Sequence, residues 1–135
     1  MRRWLIPAGL ATALLVTAGA LAANTLVSRI TYENVELAEV QRYALCATLT
    51  RYQLDNGHLP TEEQGLQALT QAPSVLPLPV SYPPQGYVKP TDLLDPWGNP
   101  YLYQVSADGI ANVLSSNAAV GTDPCTIVGD LAEAE

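Results

Sequence analysis

From Trp4 to Val27 the chain runs mostly apolar, and no charged side chain falls between Arg3 and Arg29. A helix of about 20 apolar residues crosses a bilayer core. Arg2 and Arg3 in front of the run predict that this end stays cytoplasmic while the rest is exported, and Trp4 fits the interfacial aromatic position. A second reading stays open, because "AGALA" before Ala23-Asn24 offers a small-residue cleavage site. Segment 1–27 is therefore a cytoplasmic stub with a transmembrane anchor, or a signal sequence. Both place the remainder outside the cytoplasm.

The pattern then changes. Residues 24–55 hold no Pro and no Gly. Leu45, Leu49 and Tyr52 recur at helical spacing, Ala38 and Arg42 extend the line upstream, and Tyr43, Cys46 and Leu54 flank it. Glu39 and Arg42 stand at an ion-pair spacing. The helix is expected to stop near residue 55, because Asn56-Gly57 suits a C-cap and Pro60 blocks continuation. Anchor and helix can form one continuous rod whose later half needs a small domain to cover its stripe. The stripe is too short for sustained heptads.

Beyond it, "PTEEQGLQALTQAP" predicts a short helix over 61–71, with Thr61 as N-cap, Gln64 as its capping-box partner and Leu66 and Leu69 inward. Residues 73–90 contain six prolines, which exclude a helix there. "QGYVKP" allows a brief strand. "YLYQV" and "NVLSS" read as two strands joined through Asp108-Gly109. The turn Asp95, Pro96, Trp97, Gly98, Asn99, Pro100 delivers Tyr101 and Tyr103 into that hairpin. Trp97 is expected to cap the core, so that Trp97→Ala costs about 3 kcal/mol. The class is α+β: a long N-terminal helix packed on a small antiparallel sheet. The head spans 28–135, with the sheet and C-terminal loop over 86–130.

Charge and chemistry narrow the function. The 135-residue chain has a net charge of −7, and beyond Val27 it carries four basic and thirteen acidic side chains. Such a surface repels phosphate backbones and disfavours nucleic acid. Cys46 and Cys125 cannot hold zinc by themselves, and in an oxidising compartment they would pair. His58, the single histidine, sits in a turn and reads as a solvated loop residue, so no Ser-His-Asp or Cys-His arrangement is available. Asp92 and Asp95 read as turn formers. No glycine-rich phosphate loop is present. The chain is not expected to be an enzyme.

"RYQLDNGHLPTEEQGLQAL", "GYVKP", "LLDPWGNPYLY" and the "ADG" hairpin, in that order, resemble the major pseudopilin of bacterial type II secretion over about residues 40–130. The resemblance implies a type IV pilin-like fold, anchored by a single pass in the bacterial inner membrane with its C-terminal domain in the periplasm. It implies a structural subunit of a periplasmic pseudopilus that drives protein export through an outer-membrane secretin. Partners would be further copies in a homo-oligomer or filament, other pseudopilins, and inner-membrane secretion components. The alternative is a non-polymerising adaptor or assembly module, anchored or soluble in the periplasm, that uses the same head.

Two departures bear on this. The family carries a leader ending in Gly and then a Phe-Thr-Leu-Ile-Glu segment; here Arg3 falls at the Phe and Pro7 at the Glu, a residue that neutralises a neighbouring amino terminus in lipid. The family also holds its C-terminal loop with calcium. In this chain Ala119 falls where an Asp is expected, and Ser115, Asn117, Asp123 and Asp130 remain as oxygen donors, a weak set for this cation. The expectation is no cofactor. A Cys46–Cys125 disulfide would tie the loop to the helix in the metal's place, closing about 80 residues and contributing about 4 kcal/mol in the loop-entropy model.

Overall fold

The computed structural model describes residues 8–117 together with Val120 and Cys125, and for 8–19 and Ile30 the backbone alone. Arg2, Arg3, Trp4 and Pro7 lie outside the described residues, as do Ala119, Asp123 and Asp130. The chain forms two compact units divided between Asn34 and Val35.

The first unit is the front of helix α1, which spans Ala8–Asn56. Its described side chains are almost all exposed, Leu21, Leu26 and Val27 among them. Thr25, Ser28 and Thr31 return their hydroxyls to the carbonyls of Ala22, Asn24 and Val27, which satisfies them without outside partners. Among the described residues no helix is long and apolar enough to cross a membrane. The expected anchor falls largely on side chains outside that set.

In the second unit α1 continues as one wall of the core. Ala38, Arg42, Leu45, Leu49 and Tyr52 are all buried, the line that the 3.6-residue period selects. Tyr43 and Leu54, on its flanks, are exposed. The Arg42 guanidinium is stacked 4.6 Å from the centre of the Tyr43 ring. The helix stops where expected: the Gly57 N–H reaches the Gln53 carbonyl at 2.7 Å.

Segment 61–71 departs from expectation. The capping box forms, with the Thr61 N–H donating to Gln64 Oε1 at 3.0 Å and the Gln64 N–H to Thr61 Oγ1 at 3.1 Å. An α-helix does not follow. Gly65 takes φ +59°, a left-handed conformation that interrupts the helix, and only a 3-10 turn over Leu66–Leu69 results. Leu66, Ala68 and Leu69 nevertheless point into the core. The brief strand expected around 85–90 is also replaced. The N–H groups of Tyr87 and Val88 both converge on the Leu69 carbonyl, and Pro90 opens a 3-10 turn over Pro90–Leu93. Gly86 makes that approach possible, since a Cβ there would stand 2.5 Å from the Thr70 carbonyl oxygen.

The sheet is one antiparallel hairpin, β1 Leu102–Val105 and β2 Ala111–Leu114, in register Leu102↔Leu114 through Val105↔Ala111. The connection closes with the Gly109 N–H on the Ser106 carbonyl. Alternation sends Tyr101, Tyr103, Ala111 and Val113 to one face. Tyr101 donates its hydroxyl to the Ala38 carbonyl at 2.9 Å, and Tyr103 to the Pro60 carbonyl at 2.8 Å. Residues far apart in sequence are thereby fixed on α1 and on the turn that follows it.

Candidate functional site

Three fixtures hold the second unit's loops to this frame. The first is Asp95, which heads the turn DPWGNP. It is 4% exposed. Its Oδ1 accepts the backbone N–H groups of Trp97 at 3.1 Å and Asn99 at 2.8 Å. Its Oδ2 accepts the hydroxyls of Ser115 at 3.0 Å and Ser116 at 3.1 Å. The Asp95 N–H closes the turn on the Asn99 carbonyl at 2.7 Å, and Leu94 and Pro100 form an isolated bridge. One carboxylate therefore folds its own turn and clasps the start of the segment leaving β2. Burial is the largest single influence on its pKa and pushes it up. The hydrogen bonds from Asn99, Ser115, Ser116 and Trp97 outweigh burial together and hold the carboxyl below the ordinary aspartate value.

The second fixture is the bridge between Cys46 on α1 and Cys125, with Cα atoms 5.4 Å apart and a separation of 79 positions in sequence. Both cysteines belong to the core cluster with Leu45, Leu49 and Tyr101. The third is a pair of buried amides. Gln64 donates its Nε2 to the carbonyls of Val75 at 2.7 Å and Pro77 at 2.9 Å. Asn56 accepts the Ser81 N–H at 2.9 Å and donates to the Tyr52 carbonyl and the Tyr87 hydroxyl. These two side chains rivet both ends of the proline-rich loop.

The expected site residues sort accordingly. Asp95 is a buried hub rather than a turn former alone, because its four acceptor positions are all used. Trp97 is half-buried and stands outside the cluster of buried core residues. Tyr101 takes the capping role given to Trp97, since Pro100 and the bridge to Leu94 turn Tyr101, not Trp97, toward α1. Burial, the main cause, pushes the Tyr101 phenol up to about 12. His58 is half-buried rather than solvated, edge-on to Tyr52 with centroids 6.0 Å apart. Of the oxygen donors considered for calcium, Ser115 is already engaged by Asp95 and accepts the Asn117 N–H. Among the described residues no three acids, histidines or cysteines stand together as a metal-holding group, and Asp123 and Asp130 lie outside those residues.

Gln64 and Asn56 were legible only as a capping residue and a C-cap; their reach to the 75–81 loop has no local signal. The clasp had one: an Asp heading DPWGN, whose side chain can accept N–H groups two and four residues on.

A long helix whose buried line packs on a tyrosine-bearing hairpin, with the C-terminal segment tied back to both, is the type IV pilin-like architecture of pseudopilins. The crystal structure of the major pseudopilin from the type 2 secretion system of enterohaemorrhagic Escherichia coli is similar, with a TM-score of 0.57 at 32% identity over 65% of this chain and 77% of that one. The family described as "Type II secretion system (T2SS), protein G" matches residues 25–123. Type II secretion system core protein G of Pseudomonas aeruginosa is 34% identical over 114 residues, which cover 76% of this chain and 80% of the relative. That of Escherichia coli K12 is 39% identical over 98 residues, 67% of each chain. The chain belongs to the protein G family of type II secretion systems.

Proposed function

We infer that the chain is a structural subunit of a type II secretion pseudopilus. The observation that carries this is the match of residues 25–123 to the protein G family, joined to a head built as that of a major pseudopilin. The same membership supports a finer reading. The apolar N-terminal segment anchors the subunit in the inner membrane, the head stands in the periplasm, and the subunit assembles with its own copies, other pseudopilins and inner-membrane secretion components. Its role in this reading is structural, without catalysis of its own.

The role of the Cys46–Cys125 bridge belongs to this reading. It fastens the C-terminal segment to α1, as Asp95 fastens the start of that segment to the DPWGNP turn, in place of a calcium ion. A disulfide forms in an oxidising compartment, which agrees with a periplasmic head.

The test is recovery of filaments. Overproduced with its own secretion machinery, the full chain should appear in sheared or membrane-associated pseudopili that carry intact N-terminal helices. A chain found only as a soluble periplasmic protein beginning near Ala23 or Asn24 contradicts the subunit reading and favours an adaptor that uses the same head.

A further inference from the structure

The loop over 75–80 presents its apolar side chains outward. Leu76 is 77% exposed and Val80 85%, and Val75 and Leu78 are exposed with them. Looseness does not explain this. Gln64 holds the carbonyls of Val75 and Pro77, Asn56 holds the Ser81 N–H, and the Tyr87 hydroxyl holds the Ser81 carbonyl. The loop is built to stand with Leu76, Leu78 and Val80 in water, where an apolar cluster costs solubility unless something covers it. Pro77 and Pro79 lack N–H groups, so the ridge cannot pair as a strand edge along its length.

Charge indicates what covers it. No charged residue lies between Glu63 and Lys89, in a chain of net charge −7. The ridge brings no acid of its own to a second copy, so the two can meet there without like-charge repulsion despite the overall negative charge. A receptive surface exists on the same unit: an open groove of about 230 Å³ between α1 and the 88–92 segment, lined by Gln41, Ala44, Leu45, Thr48, Val88 and Asp92. Ridge and groove are different surfaces. Joining one copy's ridge to another's groove is therefore a head-to-tail contact, which repeats into an open chain or a ring rather than closing as a two-fold dimer.

We propose that the 75–80 ridge of one subunit seats in the α1/88–92 groove of the next copy of this chain. The proposal rests on the pseudopilus reading, since it needs neighbouring copies. It is tested in assembling cells with the full chain carrying a photo-crosslinking residue at Leu78, co-expressed with a differently tagged copy. The expected product is a crosslink between the two tagged copies, attached within 41–48 or 88–92. Adding Leu76→Glu and Val80→Glu should lower that product at least about tenfold, because two charges enter an apolar contact. The Cys46–Cys125 bridge, seen on non-reducing gels, should persist and show that the head is still folded. Crosslinking to a different polypeptide, attachment elsewhere on the chain, or no crosslink overturns the proposal. Filaments that form equally with Leu76→Glu and Val80→Glu overturn it and leave the subunit reading intact. Failure of the unaltered chain to form filaments overturns both.

Discussion

Two loops of the head are fixed by buried polar side chains, and they are fixed differently. At the C-terminal side a charged group does the work: Asp95 accepts four hydrogen bonds and gathers residues 97, 99, 115 and 116. At the proline-rich loop two neutral amides, Gln64 and Asn56, hold carbonyls and one N–H group. The charged clasp secures a segment that farther on carries the buried Val120 and Cys125. The neutral rivets secure a loop whose apolar residues face outward. Hydrogen bonds to a charge are stronger, roughly 1.5–3 kcal/mol against about 1 for neutral pairs. They also depend on the charge being present, so the clasp is sensitive to pH and the rivets are not.

The comparison breaks most severely at the disulfide that backs the clasp. Replacing Cys46 and Cys125 by Ser should cost about 4 kcal/mol, the loop-closure value for a span of this size. A large fall in melting temperature checks this; a change of under a few degrees would mean that the clasp suffices alone. Asp95→Ala comes next, at about 3 kcal/mol, because the Trp97 and Asn99 N–H groups lose their acceptor. Asp95→Asn sharpens the electrostatic part. The folded-state pKa of Asp95 is depressed, so its contribution is fully present above the unfolded value of about 3.9 and is lost as pH falls through the folded value. The stability gap between the native chain and Asp95→Asn, followed by denaturant titration, should be widest near neutrality and should narrow below about pH 4.

On the neutral side, Gln64→Ala should cost about 1.5 kcal/mol, with a gap that stays constant over the same pH range. Hydrogen exchange should quicken at residues 75–81 and not at 95–101. The smallest effect is expected at Trp97→Ala, about 1 kcal/mol, as for a half-buried side chain outside the core. A loss near the 3 kcal/mol suited to a buried tryptophan would place it in the core after all.

The contrast also separates what the sequence could show from what it could not. The core line of α1 was legible because five buried positions obey one period, and the hairpin because Asp108-Gly109 marks its turn. Membership of the pseudopilin class was legible in motif order. The helix expected over 61–71 failed at one residue, Gly65, where a left-handed backbone overrides a correctly read capping box. The strand near 85–90 failed because Tyr87 and Val88 share one carbonyl across the core instead of pairing with a neighbouring strand. The loop fixtures were least legible. Gln64 reaches residues 11 and 13 positions away, Asn56 one 25 away, and Asp95 two at 20 and 21. No local propensity encodes such contacts; they follow from the packed positions of the elements.

The pseudopilus role is tested most directly in a bacterium whose own protein G has been deleted and whose type II secretion system is otherwise complete. The full chain is supplied, and the amount of a secreted substrate in the medium is measured. Restored secretion, lost again with the Cys46→Ser, Asp95→Ala double variant, is the predicted result. No secretion, from cells in which the chain is abundant in the membrane fraction and its disulfide is formed, would contradict it.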